Sequence, residues 1–426
     1  MKSNTFCILP YVHLYTEPKG EMKPCCIADG FDEPINLRKM SIEDGFNSPQ
    51  MKQLRKDMEE GKRNKVCDVC YKREDATGHS PRVDVFNTNT LWKKPKHEED
   101  YSVSSDFQHI DIRFSNLCNF KCRMCNHDFS SNWYEDMQKI RPDNVREKKV
   151  IKATETIVED LIPHLSNIKS FYFAGGEPLI MPEHYKVLKY LHDNFPPKEF
   201  YSGESENPDV PYMEKIDISI HYNTNLSILR FEKTNLIPIW KSFKQIFLSI
   251  SCDGIGKVGE YQRTGFNTET FEKNLKEIKK HFRPVNIQTS RGYGLKYNFQ
   301  YTTTNMNAYH IFDFIDYMMD NKHITDSSHI DFYYAWSPNE FALNKIKEKE
   351  KIKLKEFYDS KKSKYSDKTI TEINSIINFM MDSDINQDID NRGNFYETEL
   401  YIRNLDKLHG GNFEDISPIE ITPLKK

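Results

Sequence analysis

Six short apolar runs recur between residues 106 and 340, and they constrain the fold of this chain more than any other feature. They read HIDIRF (109–114), SFYFA (170–174), DISIHY (217–222), QIFLSIS (245–251), YNFQYT (297–302) and HIDFYYA (329–335). The segments between them carry helical spacing. The clearest runs through Phe271, Leu275, Ile278 and Phe282, with steps of four, three and four. Tyr185, Leu188 and Leu191 form a second stripe, and Phe312, Ile315 and Met319 a third. Strands alternating with helices argue for βα units with parallel strands and right-handed crossovers. The expected fold is therefore α/β, a partial (β/α)6 TIM-like barrel. Function in such folds sits at the carboxyl ends of the strands.

Those ends are chemically unlike the strands. The first run leads into SNLCNFKCRMCN (115–126), which places Cys118, Cys122 and Cys125 within eight residues. The second leads into Gly175-Gly176-Glu177-Pro178, the third into Asn223-Thr224-Asn225, and the fourth into Cys252-Asp253-Gly254. Gly, Asn and Asp are also ordinary turn residues. Paired glycines, however, let backbone approach a ligand where a Cβ would clash, and Glu177 adds an acceptor. Three clustered thiols suit neither a disulfide, which takes two, nor a closed zinc site, which takes four ligands.

Two further regions flank the core. Residues 1–95 hold Cys7, Cys25, Cys26, Cys67 and Cys70 among turn-formers, and KKPKHEEDYSVSS (93–105) reads as a linker. Residues 341–426 are rich in Lys, Glu and Asp, with a helical pattern at Ile373, Ile376, Ile377 and Met380 and a Pro-containing end. The chain thus divides into a small cysteine-rich domain (1–95), a core (106–340) and a helical C-terminal extension (341–426). The helix-like stretch 48–62 reads as packing and solvated surface.

Composition excludes several classes. The 426 residues are 37% hydrophobic and 13% aromatic, enough to build a core, so global disorder is ruled out. A net charge of −4 gives no basic field for nucleic acid. The Lys345–Lys355 cluster alternates with Glu like a solvated helix face. No run has the length of a secretory signal or a membrane span. Nine cysteines without an export signal read as reduced thiols or metal ligands in a cytoplasmic protein.

The Cys118-x-x-x-Cys122-x-x-Cys125 triad after a first strand, followed by GGEP, resembles the radical S-adenosylmethionine (SAM) superfamily over residues 106–340. SISCDG (249–254) and YQRTG (261–265) resemble later segments of that family. The resemblance implies a 4Fe–4S cluster held by three thiolates, with SAM chelating the fourth iron. One-electron cleavage of SAM would then give a 5′-deoxyadenosyl radical that abstracts hydrogen from a substrate. It implies that Met124 lies near the adenine and that Glu177 accepts from the SAM ammonium. Gly175 and Gly176 would allow close approach, and Asn225, Ser249, Ser251 and Arg263 would make ribose or carboxylate contacts. An electron donor such as flavodoxin or ferredoxin is implied too.

The N-terminal cysteines resemble a SPASM or twitch auxiliary cluster domain, here placed before the core rather than after it. The resemblance implies a second 4Fe–4S cluster on Cys7, Cys25 or Cys26, Cys67 and Cys70; of the adjacent pair, one is spare and Cys25 is taken as the ligand. Zinc is the alternative at both sites: Cys₄ suits either metal, and His127 could complete a zinc knuckle at the triad. Cys252 reads as a small buried residue at a strand end. Two functions follow. One is a radical SAM enzyme acting on a peptide or protein side chain, with a small metabolite or nucleotide as the alternative substrate. The other is a non-catalytic zinc or iron–sulfur binding protein.

Overall fold

The computed structural model describes residues 5–83, 92–144, 148–201, 212–290, 293–382 and 395–421. The outermost residues of the N- and C-terminal segments, 1–4 and 422–426, lie outside it. All six apolar runs are strands: His109–Ile112, Ser170–Phe173, Tyr212–Thr224, Phe243–Ser251, Gly294–Thr303 and Ile330–Tyr334. Each pairs in parallel with the next, through His109↔Ser170, Ser170↔Ser219, His221↔Phe247, Leu248↔Tyr297 and Phe299↔Ile330. The sheet stays open among the described strands, because the sixth core strand pairs only with the fifth.

The register sorts the side chains. Ile110, Phe171, Phe173, Ile220, Tyr222, Leu248, Tyr297, Phe299 and Phe332 alternate onto one face and are buried. The three helical stripes supply its cover, except that Met319 of the third is exposed and Met318 is buried in its place. Thr268–Lys279 starts at Asn267, whose side chain accepts from the Thr270 N–H, and buries Phe271, Leu275 and Ile278. Pro182–Asn194 buries Val187, Leu188 and Leu191; Ile311–Asp320 buries Phe312, Phe314, Ile315 and Met318. Each such side chain contributes roughly 2 kcal/mol by leaving water. The other face carries His109, Asp111, Tyr172, His221, Ser249 and Asn298, with the buried Phe247 among them, and is mostly polar. A parallel sheet normally needs both faces apolar, so this face is built for something other than packing against helices.

The N-terminal region does not stand apart. His13–Thr16 pairs in parallel with the first core strand, His13 opposite His109 and Thr16 opposite Ile112. Glu21–Lys23 and Ile35–Asn36 extend the sheet antiparallel. The cysteine-rich segment and the core therefore share one sheet. The stretch read as a linker is fastened as well: Asn47 donates to the Val103 carbonyl (2.9 Å) and accepts from its N–H (3.0 Å). Arg55, on the helix Pro49–Glu59, is fully buried and donates to Pro10, Phe46 and Tyr101 carbonyls. This arginine draws 48–62 and 93–105 onto one small core, which charge alone would not have suggested.

The C-terminal extension forms the helices Glu348–Lys361, Asp367–Met381 and Phe395–His409. The second buries Ile373, Ile376, Ile377 and Met380 and lies against the sixth core strand, with Lys368 2.8 Å from Asp331. No helix among the described residues is long and apolar enough to cross a membrane.

Candidate active site

The cysteine loop leaves the first core strand and is gripped from two sides. On one side lies the GGEP loop after the second strand. Glu177 N–H donates to the Leu117 carbonyl (2.8 Å), and Gly176 N–H to Ser115 (3.4 Å). A Cβ on Gly176 would stand 2.0 Å from the Leu117 oxygen, and Gly175 has φ +113°. What fills the space the glycines leave is thus the backbone of the cysteine loop. On the other side, Lys121–Cys122 pairs antiparallel with Arg263–Thr264, Cys122 opposite Arg263.

Glu177 braces two loops. Its Oε1 accepts from Leu179 N–H (3.1 Å) and the Thr224 hydroxyl (2.7 Å), and its Oε2 from Asn225 N–H (2.7 Å). Burial nevertheless pushes its carboxyl up to about 7. Asn225 in turn donates to the Asn119 side chain at 3.0 Å, tying the third strand end to the cysteine loop.

The fourth strand end supplies the cation. Arg263 Nε donates to Asp253 Oδ2 (2.6 Å), and Nη1 lies 3.8 Å from Cys122 Sγ. Burial works against its charge, but Asp253 and Cys122 outweigh it and hold the guanidinium pKa above its ordinary value. Asp253 is completely buried, takes the Thr302 N–H on its other oxygen (2.8 Å), and is the anchor sequence reading passed over as a turn residue. Cys252 is fully buried at the strand end, as its position suggested.

The three thiols are half-buried. Burial, then Cys122, raises the Cys118 thiol; the same causes push Cys125 up to about 12. Burial also raises Cys122, against the pull of Arg263. Such thiols give up their protons only when a cation takes their place. Ser249 is buried on the polar face of the fourth strand, Ser251 is half-buried at its end, and Met124 packs at the edge of the core. The structure thus brings Cys118, Cys122, Gly175, Gly176, Glu177, Asn225 and Arg263 into one contact network.

A second cysteine set is separate from the first. Cys7, Cys25, Cys67 and Cys70 line one partly open pocket, with Leu9, Pro10 and Met58 among its apolar walls and Arg82 as its cation. Burial pushes Cys7 up to about 12 and raises Cys25 and Cys67, whose next cause is Cys7. Cys26 is not part of this lining: it is exposed, and burial and the nearby Asp111 raise its thiol pKa. Among the described residues no three His, Cys, Asp or Glu side chains close on a single metal ion. A cavity walled by four thiols and apolar groups suits an iron–sulfur cluster, since thiolates are its usual ligands. Cys25→Ser should therefore lose the auxiliary metal, whereas Cys26→Ser should keep it; iron analysis of the two variants checks this.

Residues 7–71 match the SPASM family, an iron–sulfur cluster-binding domain, and that match encloses all five N-terminal cysteines. The matching residues precede the parallel core in the chain. Among solved structures it is similar to anSMEcpe with bound AdoMet, at 17% identity and a TM-score of 0.34, over 54% of this chain and 50% of that one. It is also similar to Streptococcus suis SuiB bound to the precursor peptide SuiA, at 13% identity and a TM-score of 0.34, over 70% of this chain and 60% of that one. The chain thus spans about half the length of the first of these. No curated protein matches it.

Proposed function

We propose that this chain is a radical SAM enzyme that abstracts hydrogen from a peptide or protein side chain. One observation carries the reading: the three-thiol loop is seated by the ends of the second, third and fourth core strands. Arg263 stands 3.8 Å from Cys122 Sγ. Bound together, a 4Fe–4S cluster and SAM would supply one-electron cleavage to a hydrogen-abstracting carbon radical.

The chain's own residues would hold and orient these groups. Cys118, Cys122 and Cys125 would ligate three irons. Glu177 Oε2 takes the Asn225 N–H alone among the described residues, retains acceptor capacity, and would meet the SAM ammonium. Arg263 has Nη groups free of Asp253 for a carboxylate. Asn225, Ser249 and Ser251 would contact ribose or carboxylate, and Met124 the adenine. Cys7, Cys25, Cys67 and Cys70 would hold the auxiliary cluster, and a flavodoxin or ferredoxin would deliver the electron.

The test is anaerobic reconstitution followed by dithionite and SAM. The expected product is 5′-deoxyadenosine; its absence from protein with iron bound at both sites would reject the proposal.

A further inference from the structure

The C-terminal helix Phe395–His409 grips the cysteine loop on both sides of Cys122, at residues that no sequence motif connects. Arg123, between Cys122 and Met124, is 1% exposed. Its Nη1 donates to Asp406 Oδ1 (3.0 Å), Nη2 to the Gly410 carbonyl (2.6 Å) and Nε to the Tyr261 carbonyl (2.8 Å). The Tyr261 ring stacks 3.7 Å from the guanidinium, and its hydroxyl donates to the same Asp406 oxygen (2.7 Å). On the other side of Cys122, Lys121 Nζ donates to Asp136 Oδ2 at 2.6 Å, and His409 Nε2 reaches that oxygen at 2.9 Å. His409 Nδ1 lies 3.3 Å from the hydroxyl of Thr264, the ladder partner of Lys121. Trp133 packs edge-on against His409 and donates its indole N–H to the Cys122 carbonyl (3.0 Å).

A buried guanidinium with five donors is costly unless each is met. Three of the groups that meet Arg123 come from other parts of the chain: Asp406, Gly410 and Tyr261. The loop between Cys118 and Cys125 has little regular structure of its own, only the two-residue ladder at Lys121–Cys122. Its conformation is therefore held from outside. We propose that the C-terminal helix is a clamp that fixes Cys122 in its ligating position, with Asp406 and His409 as positioning residues. Metal uptake at the triad then depends on docking of this helix. This inference rests on the triad reading for its metal consequence, but not for its mechanical one.

The test compares full-length wild type with Asp406→Ala and Asp406→Asn, all reconstituted alike. Outer-layer contacts of this kind change metal retention by about tenfold. Asp406→Ala should therefore hold about tenfold less triad iron, counted as total iron minus that of a protein with all three triad cysteines changed to alanine. The auxiliary iron should be unchanged. Asp406→Asn, which keeps an oxygen facing Arg123 and Tyr261, should restore most of it. In iron-free protein, hydrogen exchange at the amides of Arg123 and Cys125 should speed up in Asp406→Ala and not in Asp406→Asn. If Asp406→Ala does not yield folded protein, His409→Ala is read by the same two measurements.

Wild-type exchange rates and wild-type triad iron in the alanine variant would overturn the clamp. Should wild type and the triad variant hold equal iron, the radical SAM reading fails. The exchange comparison would still decide the clamp.

Discussion

Changing Cys118, Cys122 and Cys125 together to alanine should abolish SAM cleavage, on the order of 10³-fold or more, as expected when groups that act as one unit are removed. The auxiliary iron should survive, because its four thiols line a cavity that none of the triad enters. Iron content and 5′-deoxyadenosine, measured on the same sample, check both halves. Loss of all iron would show that the two sites fold as one unit. Retention of cleavage would move the chemistry elsewhere. The expected stability change is small, since the three thiols are only half-buried and stand at the margin of the core.

Gly176→Ala should be the most damaging single methyl group near the site. Its Cβ would stand 2.0 Å from the Leu117 oxygen and 2.8 Å from the Asn116 carbonyl carbon, both backbone atoms that no rotamer change can move. Either the GGEP loop or the cysteine loop must shift, and the bonds from Gly176 and Glu177 to Ser115 and Leu117 are lost with it. A cost of about 3 kcal/mol is expected for a backbone clash of this kind, read as a lower urea midpoint. Triad iron should fall while auxiliary iron remains. Wild-type stability and iron would mean that the cysteine loop yields without strain.

The core was legible in the sequence because its signals are local. A parallel strand buried on one face leaves an alternating apolar trace, as in Ile110 and Ile112, and the Phe271, Leu275, Ile278 stripe declares a helix on its own. Cysteine spacing is local too, which is why both thiol sets could be named, with Cys25 taken ahead of Cys26. What could not be read is contact between distant segments. Arg123 and Asp406 are separated by 283 positions, and neither residue type announces the other. Asp253 looked like a turn former because its Arg263 partner is visible only after folding. The glycine pair was assigned to a ligand, whereas the closest neighbour is backbone of the same chain.

The parallel docking of His13–Thr16 on His109–Ile112 sets an order of events during synthesis. The residues that line the thiol pocket all lie within 7–82, yet the strand that anchors the segment, His109–Ile112, comes later in the chain. Until then the nascent segment has to hold itself together on Tyr11, Phe46, Leu54 and Met58. The residues that line the thiol pocket are thus all translated before the triad loop, while their sheet partner follows them.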